Sequence, residues 1–234
     1  MSTTAHTIAS VLKEQGIRHI FGYPGGEVTS LMEAARGQGI SFVLPKHEAQ
    51  AAFMAATYGD LTGRPGVCIS TLGPGATNMM TGVAQAYLDR SPVLAITGQM
   101  SSWRAGVVTH QFIDLRAIYA PVTKWSTFVA PASAGEAVAR AARTALAERP
   151  GPVHLELYSD FATAAQPSEE APGSDTPLAR TSPAWLADVG ASSWHRATRS
   201  SMMSGLHPII EAVDRARRPA LLVGLGALRT GAHV

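Results

Sequence analysis

The chain has 234 residues, 46% of them hydrophobic and 15% charged, with a net charge of +2. That length suits one full domain plus part of a second, at ~100–200 residues per domain. The apolar fraction excludes a disordered chain, and the scattered charges of both signs argue against a nucleic-acid binder. No apolar run approaches the ~18 residues of a membrane helix, and residues 1–6 show no secretory pattern. One cysteine, Cys68, excludes an internal disulfide framework and a cysteine-based zinc site. A cytoplasmic protein is the expectation.

Helical and strand patterns alternate through the first 160 residues. Ile8, Val11, Leu12 and residues 15–17 predict an opening amphipathic helix, and His19-Ile20-Phe21 a short buried strand. Val28, Leu31, Met32 and Ala35 repeat at helical spacing, with Gly37 and Gly39 ending that helix. Residues 41–44 read as a second strand, 47–61 as an alanine-rich helix, and 66–70 as a third strand. Then come a helix over 76–88, a strand over 92–97 and a strand within 122–129. A helix over 137–148 is followed by the apolar run 153–157. This order predicts an α/β fold with a parallel sheet between helical layers. In such sheets the functional loops lie at the carboxyl ends of the strands. Residues 22–27, 45–48, 71–78 and 98–111 are the four candidates.

Beyond Phe161 the character changes, and 166–176 is rich in Pro, Ser and Glu. Residues 181–205, with Trp185 and Trp194, show no clean period. Residues 208–217 look helical and 220–224 strand-like. The expected division is therefore an α/β domain over 1–162, an irregular linker over 163–207, and the first piece of a second domain over 208–234. A lone helix and strand cannot bury both faces, so that piece needs a partner, is frayed, or belongs to a fragment.

Glu48 stands at a strand-to-helix junction. One reading is a first-turn glutamate favoured by the helix dipole, worth ~0.3–1 kcal/mol. The other is functional. The apolar company of Ala49, Ala51, Ala52, Phe53 and Met54 makes a buried helix, where a carboxylate needs a partner. In Thr71-Leu72-Gly73-Pro74-Gly75-Ala76-Thr77-Asn78, two glycines around a proline let backbone approach a ligand, or simply make a tight turn. The phosphate-binding lysine of a Walker loop is missing. Gln111 offers an amide and His110 a proton donor or acceptor, and both residue types are also common on surfaces.

Jointly these pieces resemble the N-terminal pyrimidine-binding domain of thiamine-diphosphate-dependent enzymes, on the acetolactate synthase branch. Phe21-Gly22-Tyr23-Pro24-Gly25-Gly26, Lys46-His47-Glu48-Ala49-Gln50, the run from Gly66 to Asn78, Ala95-Ile96-Thr97-Gly98-Gln99 and Pro121-Val122-Thr123-Lys124-Trp125 carry the resemblance. It implies that Glu48 bonds N1′ of the cofactor's aminopyrimidine. That bond favours the imino tautomer, whose nitrogen removes the thiazolium C2 proton before attack on a 2-keto acid such as pyruvate. It further implies that Pro24, Gly25, Gly73, Pro74 and Asn78 line the pyrimidine pocket and that Gln111 is a substrate-loop residue. The implied activity is a transferase or lyase, a carboligase or decarboxylase that does not act alone. The alternative is an orphan or remnant cofactor-binding module that needs a separate diphosphate-binding subunit.

Two departures accompany the resemblance. The substrate loop reads His110-Gln111-Phe112, where acetolactate synthases carry Phe-Gln-Glu. The Gly-Asp-Gly and Asn-Asn marks of the diphosphate domain are missing, since Gly59-Asp60-Leu61 does not supply them. Mg²⁺ is therefore expected only through another domain or a partner chain, in a homo-oligomer or a mixed assembly. Gly224-Leu225-Gly226-Ala227 is half a dinucleotide fingerprint, which gives FAD no support.

Overall fold

The computed structural model describes residues 2–105, 107, 110–166, 206–218 and 220. Two compact units divide the chain, Met1–Pro172 and Gly173–Val234. The first unit orders its elements as α1 (Thr4–Glu14), β1 (His19–Gly22), α2 (Thr29–Gly37), β2 (Ser41–Val43), α3 (Glu48–Thr62), β3 (Gly66–Ser70) and α4 (Pro74–Asp89). It continues with β4 (Val93–Gln99), α5 (Leu115–Tyr119), β5 (Ser126–Phe128), α6 (Ala134–Leu146), β6 (Val153–Tyr158) and α7 (Ser159–Thr163). In the second unit the described helix is α8 (Leu206–Arg215). The expected strand over 220–224, the fingerprint at 224–227 and most of the expected linker lie outside the described residues.

All six strands run parallel, in the order β2-β1-β3-β4-β6-β5. The α/β expectation holds. β3 and β4 are the two central strands and are buried throughout, and β6 beside β4 is buried in all but its last residue, which is why they read as apolar runs. One face of the sheet packs Ile8, Leu12, Leu31, Val138 and Ala142 from α1, α2 and α6. The other packs Ala51, Ala55, Met79, Val83 and Tyr119 from α3, α4 and α5. From β1 the chain steps to β2 on one side and then to β3 on the other. The carboxyl ends of β1 and β3 thus form the switch point where α/β sheets hold ligands.

Several boundaries differ from the sequence reading. α1 begins at Thr4, capped by the Thr3 side chain, and ends before the turn at Gly16. α4 begins at Pro74 rather than Ala76, because proline is preset for a first helical position. β4 extends to Gln99, so the loop expected from Gly98 starts at Met100. The strand within 122–129 contracts to Ser126–Phe128, since Ala120–Val122 form a 3-10 turn containing Pro121. α5 and α7 have five residues each, too few to display a helical period.

Cys68 is buried at the middle of β3, and burial pushes its thiol up to about 12. A thiol reagent is therefore expected to leave native protein unmodified and to react stoichiometrically once denaturant unfolds it. Rapid modification of the native protein would contradict this packing.

Candidate cofactor site

The site is assembled from three strand ends and the loop after β4. After β2, the His47 Nδ1 accepts the Ala49 amide at 3.1 Å, and Gln50 Oε1 accepts the Lys46 amide at 3.1 Å. These two bonds satisfy amides at the start of α3 and fix the direction in which Glu48 leaves the helix. Glu48 is 9% exposed. Asn78 Nδ2, from the second turn of α4, donates to Glu48 Oε2 at 3.1 Å. The other oxygen faces Gly75, where a Cβ would stand 3.3 Å from Oε1. One carboxylate oxygen is thus held by an amide, and the other looks onto backbone that lacks a side chain.

Gly73 caps α4 at φ +53°, a conformation that favours glycine. A Cβ there would lie 2.5 Å from the Gln111 carbonyl oxygen, so the Gln111 backbone rests on this glycine. Gln111 itself has φ +58°. A Cβ on Gly25 would lie 2.4 Å from Thr71 Oγ1, which brings the loop after β1 against the loop after β3. The structure therefore gathers Gly25, Glu48, Gly73, Pro74, Asn78 and Gln111 at one edge of the sheet. Pro24 is exposed beside Gly25. His110 is exposed, and Thr109 lies outside the described residues.

A buried polar cluster behind this rim was not evident in the sequence. Gln99 Nε2 donates to Glu156 Oε1 at 3.1 Å and to the Ile113 carbonyl at 3.2 Å. Arg116 Nε lies 3.2 Å from Glu156 Oε2 as an ion pair. Burial pushes the Glu156 carboxyl up, while the Gln99 bond and the Arg116 charge pull it down. His154 bonds Thr97 Oγ1 through Nε2 and Ser126 Oγ through Nδ1, both at 2.8 Å. Burial, aided by the Arg116 charge, lowers it to about 3, so it stays neutral. Its ring stacks on Tyr119 at 4.1 Å between centroids, and the Tyr119 hydroxyl donates to the Ala76 carbonyl at 2.6 Å. The cluster thereby ties β6 and α5 to the first turn of α4. Its signal was the pair of polar residues, His154 and Glu156, at alternate positions of an apolar strand.

A parallel sheet flanked by helices, with a buried carboxylate at its carboxyl edge beside backbone free of side chains, defines an α/β cofactor-binding domain. Residues 2–118 match the family described as "Thiamine pyrophosphate enzyme, N-terminal TPP binding domain". The chain belongs to that family, and its matched part is a TPP-binding domain similar to the N-terminal part of acetolactate synthases. Acetolactate synthase of Arthrospira platensis is 35% identical over 99% of this chain and 38% of its own length. The acetolactate synthase large subunit of Corynebacterium glutamicum is 34% identical over 99% of this chain and 35% of its own length. A probable 2-ketoarginine decarboxylase of Pseudomonas aeruginosa is 35% identical over 98% of this chain and 38% of its own length. The chain thus spans little more than a third of the length of these relatives.

Proposed function

We propose that this chain supplies the pyrimidine half of a thiamine-diphosphate site in a 2-keto-acid carboligase or decarboxylase. The observation that carries the reading is Glu48, buried, with Oε2 held by Asn78 and Oε1 facing the bare backbone at Gly75. An aminopyrimidine suits this site, because its ring nitrogen needs one carboxylate oxygen, and Asn78 holds only Oε2 of Glu48. When bound, the cofactor supplies an electron sink for cleavage or formation of bonds to a keto carbon. Glu48 would hold the ring nitrogen and shift its proton distribution. Asn78 would keep the carboxylate from rotating away, and Pro74 with the first turn of α4 would border the ring. Gln111, resting on Gly73, would offer its amide to the substrate.

The diphosphate and its divalent cation would be held by residues of another domain or another chain. A second copy of this chain, or a diphosphate-domain partner, is the proposed companion. α3 supports this reading: it buries alanines inward yet leaves Phe53 and Met54 exposed, and α4 leaves Tyr87 and Leu88 exposed. Among the described residues no helix is long and apolar enough to cross a membrane. A reducing cytoplasm suits the single buried thiol.

Titration calorimetry with thiamine diphosphate and Mg²⁺ tests the site directly. Glu48→Gln keeps the shape and the Asn78 contact region but removes the charge. The expected result is binding by the parent chain that weakens roughly 10–100-fold in the variant, the worth of a charge-assisted bond. Equal affinities would sink the role of Glu48.

A further inference from the structure

The loop after β1 carries a carboxylate that the pyrimidine reading leaves unused. Glu27 lies in the 3-10 turn Gly26–Val28 and is half-buried. Thr71 Oγ1, from the loop after β3, donates to Glu27 Oε2 at 2.5 Å. A Cβ on Gly98 of β4 would stand 2.9 Å from Glu27 Cβ, so the stem of Glu27 occupies space that this glycine leaves open. The carboxylate is therefore fixed across the ends of β1, β3 and β4. Thr71 also faces Gly75: its Cγ2 would lie 2.6 Å from a Cβ there, the same Cβ that would stand 3.3 Å from Glu48 Oε1. Glu27 and Glu48 thus flank one threonine on one rim.

The two carboxylates differ in what they have. Glu48 has the Asn78 amide on one oxygen and the bare backbone in front of the other. Glu27 has a neutral hydroxyl on one oxygen, and among the described residues no cation pairs with it. A hydroxyl donor sets orientation but brings no charge. A partly desolvated carboxylate held in place in this way is matched by a cation that arrives with a ligand.

We infer that Glu27 selects the substrate, recognising 2-keto acids whose side chain ends in a guanidinium or ammonium group. The inference rests on the reading that the Glu48 rim holds the pyrimidine, because only then does a second carboxylate on that rim face the substrate. Recognition is non-covalent. The cation would bond the oxygen of Glu27 that Thr71 does not use, and a neutral side chain of equal size would leave that oxygen unmatched.

The test uses the full chain and three probes followed by calorimetry and two-dimensional NMR. They are 4-guanidino-2-oxobutanoate, its neutral near-isostere 4-ureido-2-oxobutanoate, and the free pyrimidine 4-amino-5-hydroxymethyl-2-methylpyrimidine. The parent chain is expected to bind the guanidinium acid roughly 10–100-fold more tightly than the urea. Glu27→Gln should erase that preference and leave the pyrimidine affinity unchanged. Glu48→Gln should weaken the pyrimidine and keep the preference. Equal binding of the two keto acids by the parent, including no binding of either, overturns the proposal. So does a preference that survives in Glu27→Gln, or a pyrimidine affinity that falls in that variant as far as the keto acid does. Failure of the parent to bind the pyrimidine, with the cation preference intact, would overturn the cofactor reading alone.

Discussion

Arg116→Ala is expected to destabilise the first unit by about 3 kcal/mol, the low end for removing one partner of a buried ion pair. The low end applies because the Arg116 side chain is 21% exposed, whereas Glu156 is 3% exposed. What costs stability is the orphaned carboxylate. Burial already pushes Glu156 up, and the variant deletes one of the charges that oppose this. In a unit of this size the change corresponds to a fall of about 6–12 °C in Tm, at ~2–4 °C per kcal/mol. Arg116→Ala combined with Glu156→Gln should recover most of it, since the amide oxygen can still accept from Gln99. Thermal melts of the parent, both single variants and the double variant close the cycle. A single variant within 1 kcal/mol of the parent, on the order of ordinary surface changes, would show that the pair is not a buried unit. So would a double variant no better than the single one.

The same cluster shows which parts of the molecule could be read in advance. β3 was legible to the residue, because a strand buried on both faces is a continuous apolar run between turn signals. Glu48 was legible as a position, because a carboxylate at the head of an apolar helix needs an explanation. Its partner was not. Asn78 lies 30 residues away, and only the packing of α4 beside α3 brings the amide to Oε2. Gln111 was legible as a residue type, but its seat on Gly73 depends on two left-handed backbone conformations that no local pattern announces. Glu27 was in view within a glycine-rich loop and had no evident partner, because Thr71 belongs to a different strand end. Local periodicity encodes which face of an element is buried, and it does not encode which two faces meet.

Acid should destabilise the fold before its carboxylates as a class are protonated, and His154 is the reason. Its folded value of about 3 lies below the ordinary 6.5, so the unfolded chain binds the proton first. The sign follows. Stability is full above pH ~6.5 and falls as pH drops toward the folded value, with a limiting slope of about 1.4 kcal/mol per pH unit. Glu156 works the other way. Its folded value is raised, so the folded state takes up that proton first and gains stability as pH falls through it. The loss should therefore steepen as pH falls below 6.5 and flatten where Glu156 titrates. Chemical denaturation at half-unit intervals from pH 7.5 to 4.5 measures the curve. His154→Gln keeps one polar contact with Thr97 or Ser126 but cannot titrate, so its lower stability should be flat across the upper part of that window. Glu156→Gln removes the opposing contribution, so its acid loss should continue without flattening. A Glu156→Gln curve that is level from 7 to 5 would mean that His154 accepts a proton in the fold, between the Thr97 and Ser126 hydroxyls and against the Tyr119 ring.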